Sequence, residues 1–173
     1  MTRQLALAIA LCWPLPAIAG GEITVAPLTL LEDGEVAGCG LTSSSRSPET
    51  LALGEVIAFR EGEATAFAVR ARTVPATVEV TGVRLITASH DTAADFPKAR
   101  MLGGGLIETR TVLEGFAGSR FAQSLMVTGG RFEITLSDGK TVAYDLPRPM
   151  PHAVRQAYLN CAGDLFRPEI EGR

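Results

Sequence analysis

Apolar and polar side chains alternate most cleanly at residues 131–136, where Phe132, Ile134 and Leu136 interleave with Arg131, Glu133 and Thr135. That two-residue period marks a strand with one buried face. Asp138-Gly139 follows it, a hairpin signal. A two-residue Asp138-Gly139 loop would set Ile134 against Ala143 and Phe132 against Asp145, leaving Val142 and Tyr144 off the apolar face. A three-residue loop Ser137-Asp138-Gly139, with Gly139 left-handed, pairs Ile134 with Val142 and Phe132 with Tyr144 instead, and is the expected turn. Upstream, Gly129-Gly130 reads as a two-residue loop that pairs Val127 with Phe132 and Leu125 with Ile134. These turns predict a three-stranded meander over residues 120–146.

Earlier segments repeat the rhythm with more noise. Ile57 and Phe59, then Phe67, Val69 and Ala71, flank a turn at Glu61-Gly62. All five carry odd numbers, so an odd loop length is expected to keep one face apolar. From Val78 and Val80 to Val83 and Leu85 the apolar phase switches across Gly82, which reads as a β-bulge. Residues 106–113 form a weaker strand, and 88–105, with Asp91, Asp95, Pro97 and Gly103-Gly104-Gly105, read as a long loop. The halves 55–87 and 106–146 share a strand-turn-strand rhythm without a residue-level repeat.

The period changes only near the C-terminus. Pro147-Arg148-Pro149-Met150-Pro151 stops the last strand as an extended connector. Over 152–165, Val154, Ala157, Tyr158, Cys161 and Leu165 fall on one helical stripe, while Arg155, Gln156, Asn160 and Asp164 face away. The expected fold is therefore mainly β, an antiparallel sandwich or curled sheet of about seven to nine strands, with one C-terminal α-helix and a frayed tail over 167–173.

The N-terminus adds an address. Arg3, the apolar run Leu5–Trp13, the break at Pro14 and Pro16, and Ala17-Ile18-Ala19 have the layout of a secretory signal peptide cut near Ala19. The run is shorter than the roughly 20 residues of a membrane span. Cys12 does not suit lipoprotein processing, because Leu11 is bulky and few apolar residues precede it, and a lone Arg3 excludes the twin-arginine route. Residues 20–166 are then one domain, periplasmic or extracellular, with no transmembrane segment.

Cleavage at Ala19 removes one positive charge and no negative one, taking the net charge from −3 to −4. That acidity argues against nucleic-acid or anionic-membrane binding. Cys39 and Cys161 are the thiols left after cleavage, and an exported protein with two thiols has one pairing to make. A disulfide would tie the C-terminal helix to the sheet near a loop at Gly38-Cys39-Gly40.

Candidate chemistry is sparse. His90-Asp91 with Asp95 is the most site-like cluster, since a histidine beside carboxylates can act as a base or bind metal. The other histidine of the chain, His152, stands beside Pro151 at a helix start, so a zinc site with three or four ligands is not expected. Ser43-Ser44-Ser45 lacks a nucleophile elbow and reads as a flexible loop. Gly103-Gly104-Gly105 lacks the Lys-Ser/Thr of a phosphate loop and reads as a bend, and Glu61 and Glu63 as turn charges. Arg70, Arg72, Arg84, Arg110, Arg120 and Arg131 are expected mostly on polar strand faces, where they line a binding surface or simply solvate an outer face. No catalytic residue, cofactor or metal is assigned. The leading expectation is a non-catalytic binding or interaction module, with an envelope protein as partner. The alternatives are a small apolar-ligand carrier and a hydrolase using the His90/Asp91 loop.

Overall fold

The computed structural model describes residues 23–46, 51–62, 64–74, 78–96 and 99–166, so residues 1–22, read above as containing a signal peptide, and the tail beyond Phe166 lie outside the described residues. The strands are β1 (Ile23–Glu32), β2 (Glu35–Arg46), β3 (Leu51–Glu61), β4 (Ala64–Val74), β5 (Val80–Ile86), β6 (Arg100–Gly103), β7 (Leu106–Leu113), β8 (Arg131–Leu136) and β9 (Thr141–Asp145). Helices α1 (Thr92–Asp95), α2 (Phe116–Thr128) and α3 (His152–Leu165) interrupt and close the series. Six strands form one sheet in the order β1-β2-β3-β4-β7-β6, and three form another in the order β5-β8-β9. All pairs are antiparallel.

The β8–β9 hairpin has the expected register, Phe132 opposite Tyr144 and Ile134 opposite Val142. Its Gly139 is left-handed at φ 81°, and the Gly139 N–H donates to the Leu136 carbonyl at 3.0 Å. The bulge at Gly82 is present between Val80 and Gly82. The C-terminal helix spans the expected residues and buries Val154, Tyr158, Cys161 and Leu165.

Residues 120–128 are not a strand. They belong to α2, which buries Phe121, Leu125 and Met126. A step of four residues, from Phe121 to Leu125, fits both a strand face and one helical turn, so the alternation was ambiguous there. Gly129 ends the helix at φ 68°, donating its N–H to the Leu125 carbonyl at 3.1 Å. A Cβ on Gly129 would meet the Pro147 carbonyl oxygen at 2.6 Å, so the glycine also admits the C-terminal connector. The Gly129-Gly130 pair is thus a helix stop rather than a hairpin loop.

The β3–β4 turn also departs from expectation. Glu61 pairs with Ala64, which leaves a two-residue loop and sets Ile57 opposite Ala68 and Phe67 opposite Ala58. Ile57 and Phe67 therefore face opposite sides of the sheet. Both strands are buried on both faces in their middles, at Val56–Ala58 and Ala66–Val69, so apolar identity does not mark the face there. The loop expected at 88–105 contains α1 and β6. Cys39 and Ser43–Ser45 lie within β2 rather than in loops, and Arg120 lies on α2 rather than on a strand.

The core lies between the two sheets. Phe132 stacks on Tyr144 with centroids 5.5 Å apart, and both rings press on β3 where residue 54 is glycine. A Cβ at Gly54 would come within 2.6 Å of the Tyr144 hydroxyl and 2.8 Å of the Phe132 ring. Beside it, buried Ser43 donates to the Gly54 carbonyl at 3.2 Å and meets the Tyr144 hydroxyl at 3.0 Å. Phe67, Phe96 and His90 surround Phe121 at 4.8, 5.9 and 5.4 Å and hold α2 to the sheet. The Cys39–Cys161 disulfide ties α3 to β2 with Cα atoms 5.7 Å apart.

Candidate functional site

His90 and Asp91 follow β5, on the turn into α1. His90 Nδ1 lies 2.9 Å from the hydroxyl of Ser89, and the ring meets the edge of Phe121. Asp91 accepts from Arg84 Nε at 2.9 Å and from the Ala93 N–H at 3.0 Å, capping α1 as an N-terminal aspartate does. The Arg84 guanidinium beside it holds the Asp91 carboxyl below its ordinary value. Asp95 closes α1. Thr92 accepts the Leu85 N–H at 2.8 Å and pins the helix to β5. These contacts give the turn a structural role in which Asp91 orients Arg84 and α1. His152 begins α3, a separate element. Among the described residues no group of three or more His, Cys, Asp or Glu side chains is placed to hold a metal ion.

The serine run is also built into the fold. Ser43 faces Tyr144 in the core, where burial pushes the tyrosine hydroxyl up to about 12. Ser44 meets Thr24 across the β1–β2 pair at 2.6 Å. The hydroxyl that His90 contacts is Ser89, outside this run.

Arginines on the strand faces are mostly paired with carboxylates. Glu108 on β7 is 1% exposed and accepts from Arg70 at 2.7 Å and from Arg100 at 2.7 Å. Burial opposes ionisation of Glu108, but the hydrogen bonds from Arg100 and Arg70 outweigh it and keep the carboxyl below its ordinary range. Arg110 pairs with Glu61 at 2.8 Å and lies over the Phe59 ring at 4.9 Å. Arg84 and Arg131 share Glu133. Arg72 is exposed and forms no ion pair with another described residue.

The two ends of the six-stranded sheet differ in charge. At one end lie the β1–β2 turn with Glu32, Asp33 and Glu35, Glu61 at the close of β3, and Glu114 after β7, all exposed. The opposite end comprises Ile23–Val25, Ser43–Arg46, Leu51–Gly54, Ala71–Val74 and the β6–β7 hairpin Met101–Ile107, which the register aligns. These segments contain Arg46 and Arg72; Glu22, directly before Ile23, and Glu49, between Arg46 and Leu51, lie outside the described residues. Their hairpin tip is Gly103-Gly104-Gly105, all at positive φ. Around it Met101, Val74 and Leu102 are 54, 46 and 41% exposed. Arg72 and the three glycines stand out in the sequence, whereas Arg46, Val74, Met101 and Leu102 are scattered along the chain and reach the same sheet end only through strand pairing.

Compared with known proteins, the chain matches no family model, no curated protein and no solved structure. It is described by its architecture, an antiparallel two-sheet β domain with a helix tied on by a disulfide. No helix among the described residues is long and apolar enough to cross a membrane.

Proposed function

We propose that this chain is exported, loses its first 19 residues, and works in the cell envelope as a non-catalytic binding module. The observation that carries this reading is the use made of its reactive side chains. Asp91 orients Arg84 and caps α1, Ser43 is hydrogen-bonded between the sheets, and Glu108 is buried beneath two guanidiniums. A hydrolase needs a nucleophile, a base and an orienting group within hydrogen-bond reach of one another. Here the groups the sequence offers are dispersed over β2, the β5–α1 turn and α3. The disulfide, which joins residues 122 positions apart, suits an oxidising compartment.

The test is photo-crosslinking in the cell that exports the protein, with the crosslinker at Arg72 and, for comparison, at Lys140. A discrete adduct from one position and not the other, on protein whose intact mass begins after Ala19, is the expected result. Hydrolysis of model esters by the purified domain, abolished by His90→Ala, would instead establish an enzyme.

A further inference from the structure

We propose that the face of the six-stranded sheet turned away from the core is the contact surface of a homodimer. Two copies pack this face against each other about a two-fold axis that runs along the strands between β3 and β4. The proposal goes beyond the binding-module reading and does not depend on it. Ser43 and Gly54 face Tyr144, which fixes the core side of β2 and β3 and, through the register, of β1, β4 and β7. On that side lie α2, where Phe121 meets Phe67, and α3, where Cys161 joins Cys39. The outer face receives none of these contacts. A sheet face that meets water alternates polar residues into it. Here β3 instead places Leu51, Leu53, Ile57 and Phe59 outward, interrupted by Glu55 and ended by Glu61. Val74 of β4 and Val112 of β7 share that face, 46 and 41% exposed. Apolar side chains exposed together on a folded domain mark a contact surface.

The choice of a second copy rests on where the charges of this face fall. Arg70 and Arg100 are both bonded to Glu108, and Arg110 to Glu61. Glu55 and Arg72 stand on the same face without an ion pair to another described residue. Arg46 lies at the rim, three residues before Glu49. Strands β3 and β4 are the central pair of the six. Glu55 and Arg72 sit one on each, a diagonal step apart, since Glu55 pairs with Arg70 and Leu53 with Arg72. A two-fold along the strands at this centre exchanges β3 with β4 and keeps each row at its height. Glu55 of each copy then lies over the partner's Arg70 and beside the partner's Arg72, and the symmetry forms both pairs at once. Aligned sheets cross at about 30°, a tilt that leaves rows matched close to the axis, where these residues lie. The acidic ends of the two copies come to the same side, in solvent, where salt screens them. The face spans the five strands from β1 to β7. With strands about 4.8 Å apart and about nine residues along each, it covers on the order of 700 Å² per copy, close to the ~800 Å² per partner of a stable interface.

The test is sedimentation velocity of the purified exported protein, with its disulfide formed, over a range of concentrations. A monomer–dimer equilibrium is expected. Glu55→Arg and Arg72→Glu should each raise the dimer Kd at least about ten-fold, because each sets like charges against one another across the interface. The two changes made together should restore the dimer. Val112→Asp should weaken it as well, whereas Val127→Asp, an equally exposed site on α2 at 52%, should leave it unchanged. Thermal unfolding of each variant checks that the fold is kept. If Glu55→Arg fails to fold, Arg72→Glu, at an exposed position, decides the matter together with a crosslinker at Arg72, which should give an adduct of twice the monomer mass. A monomer at every concentration up to roughly 100 μM, a dimer indifferent to Arg72→Glu, or no recovery in a folded double variant would overturn the proposal. So would an Arg72 adduct with a different protein, a result that would leave the binding-module reading standing.

Discussion

The two ends of the six-stranded sheet are built from the same hairpins yet carry opposite chemistry. Glu32, Asp33, Glu35, Glu61 and Glu114 crowd one end, whereas the described residues of the other include Arg46, Arg72 and the glycine hairpin, with Glu22 and Glu49 attached to its strands outside the described residues. The difference follows from topology. An antiparallel meander sends successive turns to alternate ends, so a chain whose alternate turns differ in composition becomes a polar object. The net charge of −3 averages these ends.

The largest perturbation asks whether the two ends share one cooperative unit. Reducing the disulfide, or Cys39→Ala with Cys161→Ala, is expected to remove up to ~4–5 kcal/mol in the chain-entropy account of a loop this long. Chemical denaturation followed by probes at Arg72 and at Asp33 should show both ends losing structure in one transition. Separate transitions would divide the ends into independent units.

A second change strikes the core beneath the basic half. Gly54→Ala drives a methyl into Phe132 and Tyr144, and overpacking of this kind costs about 1–3 kcal/mol. Its unfolding midpoint should fall while Gly82→Ala, in ordinary contact with Thr135 at 3.4 Å and without a positive φ, loses less. An equal loss at both sites would show that the interlock at Gly54 is unimportant.

The third test is pH. Glu108 holds β6 through Arg100, and its carboxyl is kept below its ordinary value of 4.5. A depressed carboxylate contributes stability that is complete above the unfolded value and lost as pH falls through the folded one. Amide exchange in β6 should therefore accelerate below about pH 4.5, and Glu108→Gln should show that fast exchange already at neutral pH. Exchange that is insensitive to both would remove Glu108 as the anchor of this edge. Asp91, depressed by Arg84, makes the α1 turn acid-sensitive in the same direction.

The smallest effect is expected at the acidic turn. Glu32→Gln with Glu35→Gln lies on exposed residues, and surface changes of this kind stay within about 0.5 kcal/mol. Thermal unfolding should barely move, while electrophoretic mobility records the lost charge. A large loss of stability would mean that this end is held by contacts rather than merely solvated.

Where the spacing of apolar residues admits a single period, the elements were legible along the chain. The register of β8 with β9, the bulge at Gly82 and the stripe of α3 follow from local alternation, and the disulfide from the expectation that Cys39 and Cys161 are the two thiols left to pair. Tertiary structure decided the rest. Helix α2 was hidden because a step of four residues satisfies both periods. The β3–β4 register was hidden because those strands are buried on both sides. Arg46, Arg72, Val74 and Met101 came to one end of the sheet only through the pairing of five strands, since a sheet end assembled from distant segments has no period along the chain. Likewise, the partners of Asp91, Arg84 and the Ala93 N–H, were not legible from its position beside His90. A side chain's partners across the fold, and not its type, set what it does.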